Sequence, residues 1–183
     1  MNIIELGNKN SKIEMIYTNQ QFQQIRNRLI ELTKVCEPNN VSVNHSIFLK
    51  RGQDIFWIVK NIISNEIIGY IKTSDINMLD YTLNGNIPHK KGLYINGVCN
   101  GIPTKYKNVA TPLLQTIEHY AIEKKYNYLL LYVDSDRFYL HENRVGKRPG
   151  LYIKNGYKKI KILKANDIGY LNDLIVMRKT IRK

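Results

Sequence analysis

Apolar and polar positions alternate along residues 12–17, KIEMIY, as on a strand with one wet face. Thr18 or Asn19 can then cap a helix, and Phe22, Ile25, Leu29 and Leu32 recur at spacings of three and four, which is one apolar stripe. Pro and Asn in residues 37–44 end that helix. Residues 54–61 and 66–73 are two β-rich runs flanking the short polar turn Ser64-Asn65, and they predict an antiparallel hairpin. A long polar insert over 74–92 separates them from a strand at 93–98. A turn containing Pro103 then leads into a helix with Leu113, Leu114, Ile117, Ala121 and Ile122 on its buried side.

The continuous apolar run at 126–134, YNYLLLYVD, suits a strand covered on both faces. A polar link follows, then the short segment GLYIKN ending at Gly156. Two last strands, 157–164 and 172–180, are expected to pair with each other. A strand–helix–strand unit sits in the middle of this order. It favours an α/β chain with a mixed sheet, a right-handed parallel crossover and helices on both faces.

Composition narrows the function class. With 43% hydrophobic and 23% charged residues, 183 residues can bury one proper core, so a single domain over 1–183 is expected. The 28 Lys and Arg face only 15 Asp and Glu, giving a net charge of +13 and a surface that attracts polyanions. Nucleic acid and a small anionic ligand such as a CoA thioester both fit that charge. Cys36 and Cys99 have no metal-ligand spacing and are too few for a disulfide framework, which points to a reducing compartment and thiols. No apolar run is long enough to span a membrane, and the first residues lack the pattern of a secretory leader, so the cytosol is the expected location.

The junction at residues 93–117 has the shape of an anion site. A strand ends near Val98, the chain turns through CNGIPTKYK, and a helix begins around Val109 to Thr111, because Pro112 is harmless only in a first turn. Free N–H groups and the positive end of the helix dipole face outward there, and Lys105 and Lys107 add full charges. Neither GxGxxG nor GxxxxGK[ST] occurs in the chain.

Over nearly its full length the element order resembles that of the GNAT superfamily of acetyl-CoA-dependent N-acetyltransferases. The run EIIGYI resembles the family's third strand, and KYKNVA (105–110) resembles its pyrophosphate loop, [RQ]xxGx[GA], ahead of an apolar helix. Lys105 then stands at the Arg or Gln position, Asn108 at the first Gly and Ala110 at the Gly or Ala position. Asn tolerates a left-handed backbone, whereas Lys keeps the charge of Arg and loses its fork. LYIKNGY (151–157) resembles the family's fYeklGF, with Gly156 at a helix C-cap and Tyr152 as the tyrosine near the thioester sulfur. The Asn-x-x-Ala that precedes this tyrosine in the family is missing, since Val145 and Arg148 occupy its places.

The resemblance implies a central, mixed and splayed sheet of about six or seven strands with helices on both faces. It implies acetyl-CoA as co-substrate, no metal, and an amine as acceptor. Val98, Cys99 and Asn100 would hold the pantetheine and polarise the thioester carbonyl, while Lys105, Tyr106, Lys107, Asn108, Val109, Ala110 and Thr111 would hold the pyrophosphate. Tyr152 would protonate the departing thiolate. Candidates for the general base are Asp134, Asp136, His89, His141, Glu142 or a water. Cys99 has no assignable histidine partner and reads as a small buried thiol, and His119 as a structural residue. Two rivals remain open: a CoA-binding protein of the same fold without catalysis, and a basic nucleic-acid-binding module.

Overall fold

The computed structural model describes residues 4–5, 11–36, 54–75, 91–99, 109–143, 149–168 and 171–181. The chain forms two compact units, one of Met1–Thr73 with Gly97–Ile117 and one of Ser74–Asn96 with Glu118–Lys183. Of the predicted insert at 74–92, Ser74 and Asp75 belong to a strand, as does Gly92; residues 76–90, with His89, and residues 100–108 lie outside the described residues.

In the first unit β1 (Ile4–Glu5), β2 (Ser11–Ile16), β3 (Ile55–Asn61) and β4 (Ile67–Asp75) pair in sequence order, every pair antiparallel. The predicted hairpin is β3–β4. The Asn61 side chain holds its turn by accepting the N–H groups of Ile63 (2.9 Å) and Ser64 (3.1 Å), and Asn65 takes a positive φ of 55°.

Helix α1 (Asn19–Cys36) starts where a capping box closes. The Thr18 hydroxyl accepts the N–H of Gln21 at 3.2 Å, and the Gln21 side chain accepts the N–H of Thr18 at 3.2 Å. The helix buries Phe22, Ile25, Leu29 and Leu32, as the stripe predicts, in a core with Ile16, Phe56, Ile58, Ile67 and Tyr70. Strand residues of the opposite parity, Ile13, Trp57, Val59 and Ile71, are buried too, so this sheet is covered on both faces. Buried charges in and beside it are paired. Lys72 and Asp54, both nearly closed to water, meet at 2.9 Å, and Glu14 joins Lys12 (2.7 Å) to Lys60 (2.8 Å).

In the second unit the first half of β5 (Gly92–Cys99, of which Gly97–Cys99 belong to the first unit) and β6 (Tyr128–Asp134) pair in parallel, β6 and β8 (Leu174–Thr180) antiparallel, and β8 and β7 (Lys158–Leu163) antiparallel. The last two strands therefore pair as expected, with β7 at the edge beyond β8. Helix α2 (Ala110–Glu123) is the crossover between the parallel strands. Leu129, Leu130 and Leu131 of β6 are shut off from water, in keeping with an unbroken apolar run. Tyr128 and Leu130 pack with Leu163, Ile168 and Val176.

The architecture is thus the mixed α/β one expected, mostly antiparallel with a single parallel pair among the described strands, and β1 adds a strand that the periodicity did not predict. Ile122 corrects the predicted stripe of α2. It is 46% exposed because it sits 80° around the helix from Leu114, past the edge of the buried face.

Candidate functional site

The C-terminal half of β5 departs from regular strand geometry. Its parallel ladder with β6 stops at the pair Ile95–Leu131, and Gly97 takes a φ of +113°, a region from which side chains other than glycine are nearly excluded. Val98 is half-buried and Cys99 fully buried. Asn100, Lys105, Tyr106, Lys107 and Asn108 lie outside the described residues.

Cys99 corrects an expectation. It is joined to Cys36 by a disulfide, so neither cysteine is a thiol. The last turn of α1 and the end of β5 converge in one apolar core, a proximity that a separation of 63 residues hides in the sequence.

Where the described chain resumes, Val109 and Ala110 are buried, Thr111 is half-buried, and α2 starts at Ala110 inside the predicted window. Pro112 falls in its first turn, where no intrahelical hydrogen bond is lost.

Tyr152 lies on α4 (Leu151–Lys154), a single turn in the second unit. Its C-terminus is a Schellman motif: Tyr157 N–H donates to Tyr152 C=O at 3.1 Å and Gly156 N–H to Ile153 C=O at 3.0 Å. Gly156 supplies the left-handed residue, with φ +86°, as its expected helix C-cap position requires. At the N-terminus, Glu142 Oε2 accepts the backbone N–H groups of Tyr152 (2.8 Å) and Ile153 (3.1 Å). Gly150 leaves room for that grip, because a Cβ there would sit 2.2 Å from the His141 carbonyl oxygen.

Glu142 is therefore buried and engaged in holding the tyrosine-bearing turn. It is reached through α3 (Ser135–Arg137) and a π-helical turn (Phe138–Glu142) within what the sequence shows only as a polar link. Asp134 is engaged too: one oxygen accepts Asp136 N–H at 2.9 Å and the other the Asn172 amide at 2.8 Å. Asp136 and His141 are exposed, and so is His119, which removes its reading as an interior structural residue.

The half-buried Tyr152 ring meets the buried Tyr157 ring edge-on at 6.0 Å. Burial above all, with Tyr152 and Glu118 nearby, pushes the Tyr157 phenol far above its ordinary value. Its hydroxyl has no hydrogen-bond partner among the described residues.

No family model matches the chain, and no curated protein resembles it closely enough in sequence to count as a relative. Its similarity lies in the fold. A protein from Desulfovibrio desulfuricans assigned to the GNAT family of acetyltransferases superposes with a TM-score of 0.63 at 14% identity, over 94% of this chain and 99% of that one. An aminoglycoside 6′-N-acetyltransferase complexed with coenzyme A gives 0.60 at 16%, over 93% and 98%. The ribosomal-protein-S18-alanine N-acetyltransferase of Escherichia coli gives 0.61 at 9%, over 94% and 95%. The chain has the GNAT acetyltransferase fold. No described helix is long and apolar enough to cross a membrane, and no group of His, Cys, Asp and Glu among the described residues could hold a metal ion.

Proposed function

We propose that residues 1–183 act as one N-acetyltransferase domain, which moves the acetyl group of acetyl-CoA directly to a primary amine. The observation that carries this reading is the build of α4. A GNAT-like fold presents a half-buried tyrosine on one helical turn, closed by Gly156 behind and gripped by Glu142 in front. That rigidity suits a proton donor, whose position must be held to a fraction of an ångström.

Lys105, Tyr106, Lys107, Asn108, Val109, Ala110 and Thr111 take the pyrophosphate, using N–H groups at the start of α2 and the lysine charges. Val98, Cys99 and Asn100 hold the pantetheine and direct an N–H at the oxygen on which negative charge develops. The amine nitrogen attacks the thioester carbon, the C–S bond breaks, and the thiolate takes the Tyr152 hydroxyl proton. The nitrogen releases its own proton to water or to an exposed base such as Asp136 or His141. Cys99 is not a nucleophile in this scheme, since its sulfur is already bonded. The coenzyme A carried by the aminoglycoside acetyltransferase supports the co-substrate, and the acceptors named for that neighbour and for the ribosomal-protein acetyltransferase support an amine without choosing one.

Calorimetry with acetyl-CoA, followed by an amine screen read by release of free thiol, tests the proposal. Binding with turnover on at least one amine is the expected result. Absence of acetyl-CoA binding at high micromolar protein overturns the enzyme reading, and binding without turnover on any amine favours a CoA-binding protein that does not catalyse.

A further inference from the structure

The second unit contains a groove of about 570 Å³ that none of the proposed transferase residues lines. Its walls include Glu118 and Ile122 of α2, Lys158 and Ile160 of β7, and Arg178 and Lys179 of β8. Lys158 and Arg178 are direct cross-strand partners, two like charges facing each other on an antiparallel pair. That juxtaposition is destabilising unless an anion lies between them.

The protein contains its own comparison. In the first unit Lys12 and Lys60 are likewise direct partners, and there Glu14 bridges them at 2.7 and 2.8 Å. Around Lys158 and Arg178 no described residue plays that part. The nearby carboxylate, Glu118, is engaged by Lys179 at 2.6 Å, and neither Lys158 nor Arg178 forms an ion pair among the described residues. Lysines on an outermost strand also guard against edge pairing, which suffices for Lys159 and Lys161. It does not account for Arg178, because β8 lies between β6 and β7. Beside the two cations stand two isoleucines more exposed than their size warrants, Ile160 at 41% and Ile122 at 46%.

We propose that this groove binds a small phosphomonoester with an apolar body, its phosphate set between Lys158 and Arg178 and its body against Ile122 and Ile160. A phosphomonoester carries close to two negative charges at neutral pH, matching two unpaired cations, and the guanidinium fork of Arg178 suits phosphate oxygens. The inference does not rest on the acyltransferase reading.

Titration of the full chain with phenyl phosphate, followed by the backbone amide signals of Gly156, Lys158 and Thr180, tests it. The expected result is saturable binding, tighter than that of inorganic phosphate by about tenfold because the apolar body adds to the head. Lys158→Gln and Arg178→Gln are each expected to weaken it by about tenfold through loss of a charge-assisted hydrogen bond. Lys34→Gln, a lysine on α1 outside the groove, should leave it unchanged. Lys158 is exposed, so its variant remains a valid test if Arg178→Gln fails to fold.

Three outcomes overturn the proposal: no preference over inorganic phosphate, equal weakening by Lys34→Gln, or displacement of phenyl phosphate by coenzyme A. The last would make the groove part of the cofactor site. A chain that binds phenyl phosphate but not acetyl-CoA keeps this inference and loses the proposed function.

Discussion

One oxygen of the Glu142 carboxylate accepts the backbone N–H groups of both Tyr152 and Ile153, at 2.8 and 3.1 Å. A side chain ten residues upstream thus fixes the first turn of the helix that carries the proposed proton donor. Glu142→Gln keeps an acceptor of the same length but loses the negative charge, and Glu142→Ala loses both. The expected order of kcat is wild type, then Gln, then Ala, with acetyl-CoA affinity nearly constant. Loss of a buried acceptor of this kind costs about 1–3 kcal/mol of stability as well. Steady-state kinetics beside urea melts checks this, since equal kcat for Gln and Ala would leave Glu142 with a stabilising role only. Tyr152→Phe should lower kcat and spare acetyl-CoA binding, and an unchanged rate would remove Tyr152 from the chemistry.

How far the sequence carries differs from place to place. The α1 stripe, the β3–β4 hairpin and the Gly156 cap were legible because each rests on local periodicity or on one backbone demand. Strand β1 is two residues long, too short for alternation to register. The π-helical turn was hidden among polar residues, although Phe138 and Glu142, four apart and both buried, form a faint stripe. The Cys36–Cys99 bond and the Lys12–Glu14–Lys60 cluster depend on which strands pair and in what register, which one-dimensional spacing does not encode. Of the candidate site, the Tyr152 turn was found by its motif. Its Glu142 support was singled out only as one candidate general base, a different role from the one its backbone contacts give it.

Tyr157 buries a hydroxyl that has no partner among the described residues. A buried donor left unsatisfied costs about 1–3 kcal/mol, and Tyr157→Phe removes it while keeping the ring that meets Tyr152. The variant is expected to be as stable as wild type or more so, by up to about 1 kcal/mol in urea melts. In the wild type, spectrophotometric titration should show several tyrosines ionising late, because burial pushes Tyr120, Tyr126, Tyr128 and Tyr157 up, and Tyr157→Phe should remove the last of them. Marked destabilisation of Tyr157→Phe would mean that the hydroxyl has a partner.

Glu14 predicts a pH dependence. Burial pushes its carboxyl up, but hydrogen bonds and charge from Lys12 and Lys60 outweigh that and hold it below its ordinary 4.5. A carboxylate whose folded value is depressed contributes stability that is fully present above the unfolded value and is lost as pH falls through the folded one. The stability gap between wild type and Glu14→Gln should therefore be flat above about pH 5.5 and shrink as the pH drops below 4.5. Urea melts from pH 7 to pH 3 measure it, and a gap that is constant down to pH 3 would show that the lysines do not hold the charge.

The Cys36–Cys99 bond closes a loop across 63 residues of sequence. Chain entropy alone assigns such a cross-link about 4 kcal/mol, drawn from the freedom the unfolded chain would otherwise have. Reduction is therefore expected to lower the unfolding free energy by up to that amount, and Cys99→Ser to lower it similarly. The reduced native state is not left with an orphaned donor, because the Leu32 carbonyl lies 3.4 Å from Cys99 Sγ and can accept the thiol. The reduced protein should accordingly stay folded at room temperature, with a lower midpoint in urea. In a cytosolic enzyme this bond would be transient, since glutathione and thioredoxin keep such pairs reduced. The bond also ends on a residue assigned to the pantetheine, so acetyl-CoA affinity measured with and without dithiothreitol shows whether that end of β5 relies on the cross-link. Equal affinity in both states would confine the disulfide to stability.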